Sequence, residues 1–183
     1  MNLGLQEHGT EILAYPRKLV PCVSSGVSEI LALNNQEFLV DERDGKERAD
    51  TPVSSNASKK QIFKIRLAGA TDVSGMDGAH AATYAVTKAL FLDLVDLLHN
   101  KNGIALDNIP AKIEGISFGP DVKQGKINVH TLWIANDNDF LPVVPDANGN
   151  PIANPNQFFV VGFTDADLGG STYAPQQVTK QPF

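Results

Sequence analysis

The sequence predicts an all-β chain: a partial β-propeller-like array of about two to three blades of antiparallel strands joined by long loops. Three observations lead there. Strand-like apolar runs outnumber helical ones. Long stretches rich in Ser, Pro, Asn and Gly separate them. A two-strand pattern also occurs twice, with its early glutamates, Glu29 and Glu114, about 85 residues apart.

Taken in order, "TEILAYPRKL" (10–19) is a short apolar-polar stretch. "VSEILAL" (27–33) and "EFLVDER" (37–43) flank Asn34-Asn35, a pair that suits positive φ and so predicts a hairpin. Residues 44–60 are polar and Ser-rich and predict an exposed loop. "QIFKIRL" (61–67) alternates and predicts a half-buried strand. A second loop spans 68–82. The stretch 84–100 fits a strand to about Asp93 and then a short helix to about His99, ended by "KNG". "AKIEGISFGP" (111–120) and "INVHTLWIAND" (127–137) predict paired strands. A loop at 139–156 precedes the apolar strand "QFFVVGF" (157–163). The remaining tail has no pattern that predicts an element.

The bulk properties exclude several classes. A chain of 183 residues, 42% hydrophobic and 20% charged, can form one domain with a real core. No apolar run nears the roughly 20 residues that cross a bilayer. The net charge of −6 argues against nucleic acid or an anionic membrane as partner. The N-terminus lacks a basic segment followed by an apolar one, so no signal peptide is expected. Cys22, the single cysteine, reads as a small buried hydrophobe, and Trp133 as core between blades. Asn56-Ala57-Ser58 is a glycosylation sequon by pattern alone.

The internal repeat sharpens the reading. "SEILALNNQEFLVDERDG" (28–45) and "IEGISFGPDVKQGKINVHTLWIANDND" (113–139) each carry a glutamate early in the first strand and make a hairpin. Each ends in a polar tetrad, "DERD" or "NDND". Units of about four strands that cannot bury both faces alone fit a propeller. Its first strands line the axis, where a glutamate must be solvated, paired or metal-bound.

Six ordered blocks, "SEILALNNQEFLVDERDG", "IFKIRLAGATDVSG", "KALFLDL", "IPAKIEGISFGPD", "HTLWIANDNDF" and "NPNQFFVVGFTDADL", resemble the phytase-like family, also described as the esterase-like activity of phytase family. The resemblance runs from about Val27 to Leu168. It implies a propeller-like domain whose Glu and Asp residues serve phosphoester hydrolysis, in proteins usually exported to the periplasm or outside of bacterial cells. Family members are about twice this length. The resemblance therefore implies a C-terminal portion of one domain: 1–26 the end of a preceding blade, 27–100 one full blade, 111–168 most of the next, and 169–183 an irregular tail. A part-ring of this kind is expected to self-associate through open blade edges, and to be inactive as a fragment.

The candidate site residues follow from the carboxylate clusters. Glu29, Glu114 and Asp139 are the expected catalytic groups. Glu29, Glu114, Asp137, Asp139 and Asp44 are the expected ligands of a divalent metal such as Ca²⁺, which oxygen donors suit. Arg43 is the expected phosphate clamp, with an ion pair to a neighbouring acid as its alternative. The structural alternative for the tetrads is that they cap strand ends and bond turn backbone. "DANGN" (146–150) starts like an EF-hand but has Pro151 where glycine is required and Gln157 where Glu is required. His8, His80, His99 and His130 show no ligand spacing, and no G-x-S-x-G is present. Two functions remain open on these residues: a metal-assisted phosphoester hydrolase acting on a small phosphorylated or ester substrate, and a non-catalytic binding propeller with structural carboxylates.

Overall fold

In the computed structural model of the chain, residues 7–8, 11–12, 26–45, 59–146 and 148–176 are described. Cys22, the sequon at Asn56, most of the loop at 44–60 and most of the stretch 10–19 lie outside them. Two short strands, β1 (Glu7–His8) and β2 (Glu11–Ile12), pair with each other. The body of the protein is two open antiparallel sheets.

The first sheet is a meander of four strands in sequence order: β3 (Gly26–Ala32), β4 (Glu37–Arg43), β5 (Lys60–Arg66) and β6 (Lys88–Asp93). The expected hairpin forms, but not through positive φ at Asn34 or Asn35. Instead the Asn34 side chain builds the turn: its Oδ1 accepts the N–H groups of Gln36 and Glu37, each at 3.0 Å. Such a side-chain turn needs no left-handed residue. The connection from β5 to β6 contains a one-turn helix, α1 (Gly78–Ala81), capped by Asp77, whose Oδ1 accepts from Ala79 and His80 at 3.0 and 2.9 Å. After β6 the chain turns helical at Leu94, and Asp96–Lys101 forms a π-type turn. Gly103, at φ 70°, ends it.

The second sheet holds β7 (Ile113–Gln124), β8 (Ile127–Asn136) and β11 (Phe158–Phe163), with β8 central. The strand β7 runs past Gly119-Pro120, where the sequence predicts an end. A register shift between Gly119 and Val122 absorbs the proline, which cannot donate to a ladder. The long loop before β11 is not structureless. It contains a small hairpin of β9 (Val143–Pro145) and β10 (Pro151–Ala153), whose tip is tied by Asp146. The Asp146 Oδ1 accepts the N–H groups of Asn148 and Asn150, both at 2.8 Å. "DANGN" is thus a turn whose carboxylate is already engaged.

One core joins the two sheets. Leu33, Leu39 and Ile62 of the first meet Ile113, Ile116, Leu132, Ile134 and Phe163 of the second, with Leu94 and Leu98 from the helical turn. The tail, unreadable in sequence, closes this arrangement. Thr164 and Asp167 cap a 3-10 turn, and the chain then returns to the first sheet. Ala174 N–H donates to Leu33 O at 3.0 Å, Asn34 Nδ2 to Thr172 O at 3.1 Å, and Ser171 Oγ to Glu37 Oε1 at 2.7 Å. Burial alone would raise the Glu37 pKa; hydrogen bonds from Asn34 and Ser171 and the charge of Lys64 hold it below the usual carboxylate value.

Trp133 is not core. It is 41% exposed and meets Phe158 edge to face. Its indole lies against Gly119, where an added Cβ would fall 2.2 Å from Trp133 Nε1. Among the described residues no helix is long and apolar enough to cross a membrane.

Leu132 is fully buried in the shared core. Leu132→Ala is expected to cost about 2–5 kcal/mol of stability, read as a lower urea midpoint with little change in slope. A loss under about 1 kcal/mol would show that the two sheets do not share one cooperative core.

A charged seam between two sheets

Both repeat hairpins carry a bulge at the same place, and the bulges define the register. In the first, Val27 pairs with Glu42 and Glu29 with Asp41, leaving Ser28 extra. In the second, Ile113 pairs with Asn136 and Gly115 with Ala135, leaving Glu114 extra. Glu114 therefore corresponds to Ser28, not to Glu29. The two glutamates that sequence similarity aligns are one residue out of step, and one residue is enough to change what a strand position faces.

Arg43 makes use of this geometry. It sits at the end of β4, donates from Nε to Ser28 Oγ at 3.1 Å, and pairs through Nη2 with Glu114 Oε1. One guanidinium thus spans the bulged residues of both sheets. The expected alternative for Arg43, an ion pair, is what the structure contains.

Beside it lies Asp41, 1% exposed, with no hydrogen-bond partner for either carboxylate oxygen among the described residues. Its neighbour across the ladder is Glu29, whose Oε1 accepts the Ile30 N–H at 2.9 Å. Two carboxylates directly opposite each other repel. Burial, reinforced by Glu29 and Glu42 and opposed by Arg43 and Lys60, pushes the Asp41 carboxyl up to about 7. Asp41 is the group that sequence reading undervalued. Its only signal was membership of "DERD"; its setting follows from a register that the one-letter pattern does not reveal.

The other tetrad acids are absorbed into structure. Asp44 is buried against Lys60 at 2.5 Å and accepts the Lys59 N–H at 2.7 Å. Glu42 pairs with Lys88 and, at 3.3 Å, with Lys59. In "NDND", Asp137 Oδ1 accepts the Asp139 N–H at 2.8 Å, and Asp139 pairs with Lys112. Asn136 Oδ1 accepts the Gln157 N–H at 2.6 Å, and Asn138 Nδ2 donates to Asn154 O at 2.9 Å. Asp139 and Phe140 both have positive φ, at 53° and 59°. This tetrad is a tightly bonded turn.

The structure therefore brings Glu29, Asp41, Arg43 and Glu114 to the seam. It leaves Asp137 and Asp139 in their own turn and Asp44 in a buried pair. Among the described residues no group of three or more His, Cys, Asp or Glu is arranged to hold a metal ion. Four of the five expected ligands have a cation or a turn amide as partner: Glu114, Asp137, Asp139 and Asp44. Neither of two surface grooves, one along β11 and one between Lys64, Phe91 and Leu168, reaches the seam.

A mostly β chain whose body is two open antiparallel sheets, joined through a seam of paired and unpaired charges, is the class that fold and site define. Comparison with known families then gives the assignment: the family model "Phytase-like: Esterase-like activity of phytase" matches residues 3–140. The chain belongs to that family. The match starts earlier and stops sooner than the residues that suggested the resemblance, ending at the "NDND" turn. No curated protein and no solved structure matches the chain.

Asp41 gives the seam a pH signature. In the unfolded chain it loses its proton near 3.8; in the folded chain it keeps it to about 7. Its contribution to stability is full below about 3.8 and is lost as pH rises towards 7. Asp41→Asn is expected to melt higher than the parent at pH 8, with the difference fading as pH falls to 4. A pH-independent difference in melting temperature would show that Asp41 titrates normally in the folded protein.

Proposed function

We propose that the chain forms part of a phosphoester hydrolase domain in which each sheet is one blade of a propeller-like array and the seam is the reacting centre. The observation that carries this reading is a carboxyl with pKa near 7 held beside a guanidinium and a second carboxylate. Groups tuned towards neutrality suit proton transfer at working pH. In this reading Arg43 exchanges Glu114 for the phosphoryl oxygens of the substrate, which its planar fork matches. Glu29 takes a proton from the attacking water. The water oxygen bonds to phosphorus as the bond to the leaving oxygen breaks, and protonated Asp41 supplies that oxygen with its proton. Each of these steps is carried by the protein's own side chains.

The family match supports the domain type. The test is turnover of p-nitrophenyl phosphate, phytate and a carboxylic ester by the purified chain and its variants. Asp41→Asn is expected to lower kcat by about 10²–10⁴. Arg43→Lys is expected to raise KM for phosphoesters more than for the carboxylic ester, and EDTA to leave turnover unchanged. Activity that survives Asp41→Asn would remove the seam from the chemistry.

A second reading has an observation of its own. Asp41 is sealed from solvent and Glu114 is already paired, which suits a binding module with structural charges. It predicts no turnover of any of the three substrates, while Arg43→Ala still lowers the melting temperature.

A further inference from the structure

The four outer strands of the two main sheets are not alike. β3 carries Glu29 and packs towards β7; β6 carries Lys88 and Asp93; β7 carries Glu114, Asp121 and Lys123. Charges of this kind keep exposed edges from pairing with other chains. The fourth, β11, reads "FFVVGF" and has no charge and no proline. Among the described residues it pairs on one side only, with β8. An open groove of about 480 Å³ runs along it, walled by Leu97, Leu98 and Asn102. The second sheet thus has three strands where the first has four.

The geometry points to a second copy of this chain as the occupant: β11 pairs antiparallel with β11 of the other copy about a two-fold axis through Val160, making one six-stranded sheet. The strand is self-complementary in that register. A two-fold axis normal to the sheet keeps like faces together, so partners sum to the same number: Val160 meets Val160, Phe158 meets Gly162, and Phe159 meets Val161. On the outer face, the 68% exposed Phe158 ring lies beside the other copy's Gly162 and against the Val129 side chain that already packs over that glycine, an apolar contact. Val160, 51% exposed, meets its equivalent at the axis. On the other face, Phe159 and Val161 of the second copy enter the groove beside Leu97 and Leu98. Because no charge lies along the strand, this pairing buries none, whereas self-pairing of β6 brings Lys88 and Asp93 into the contact.

Sedimentation velocity across a range of concentrations tests the inference. The chain is expected to move from 19.7 kDa to about twice that mass. Val160→Lys sets two ammonium groups face to face at the axis and is expected to weaken the dimer at least about tenfold while leaving the circular dichroism spectrum unchanged. Leu90→Lys, on the exposed part of β6, is expected to leave the dimer intact. As an independent reading, Val160→Cys combined with Cys22→Ser is expected to cross-link two copies under mild oxidation. A chain that stays monomeric at every concentration overturns the inference. So does a dimer that Leu90→Lys disrupts and Val160→Lys does not, or a cysteine at 160 that never cross-links.

Discussion

Much of this protein hangs on one guanidinium. Arg43 holds a serine hydroxyl in one sheet and a carboxylate in the other, and both belong to bulged residues. A bulge leaves one residue without a place in the ladder and turns its side chain out of regular alternation. Two such irregularities, one in each sheet, meet on the same cation. The contact therefore fixes how the hairpins of the repeat face each other, as well as holding them together. It also sets the field around Asp41: Arg43 is the largest influence resisting the upward push of burial on that carboxyl.

The first sheet tolerates an unusual strand at its centre. β4 buries Leu39 and Val40 and then, without a break, Asp41 and Glu42. A central strand covered on both faces is ordinarily a run of apolar residues. Here the acids are handled in two ways. Glu42 and Asp44 are matched by lysines from β5, β6 and the residue before β5. Asp41 is left without a hydrogen bond and takes a raised pKa instead. Lys88, which serves Glu42, also lies over the Phe63 ring at 4.2 Å, so its charge is shared between a carboxylate and a π face. Where charges are matched this densely, any single partner is costly to remove, because the other is left buried and uncompensated.

How much of this was legible in the sequence depends on the range of the interaction. Alternation made β5 readable, and apolar runs made β4, β8 and β11 readable, because side-chain period is a local property. The switch from strand to helical turn near Asp93 was equally visible. The seam was not. Glu29 and Glu114 look equivalent as letters, yet the bulges move them one step apart, and a bulge depends on pairing across strands. The tetrads looked alike as well; one buried and two half-buried lysines answer the acids of one, while a backbone amide of its own turn and a surface lysine answer those of the other. Trp133 suggested core by size alone, whereas the face it occupies is set by its alternation with Leu132 and Ile134. The tail carried no period at all, since its contacts run to Leu33, Asn34 and Glu37, far away in the chain.

That last feature bears on how the protein comes into being. The turn at Asn34 forms early in synthesis, but one of its bonds waits for Thr172, 138 residues later. Glu37 waits as long for Ser171. Loops of that span close late and slowly, because chain entropy must be spent before any contact returns it. Until Ser171 and Thr172 leave the ribosome, the first hairpin holds an asparagine and a glutamate without these distant partners. The segment from Thr164 to Ala174 therefore acts as a late fastening, and a growing chain remains open along this line until that segment arrives.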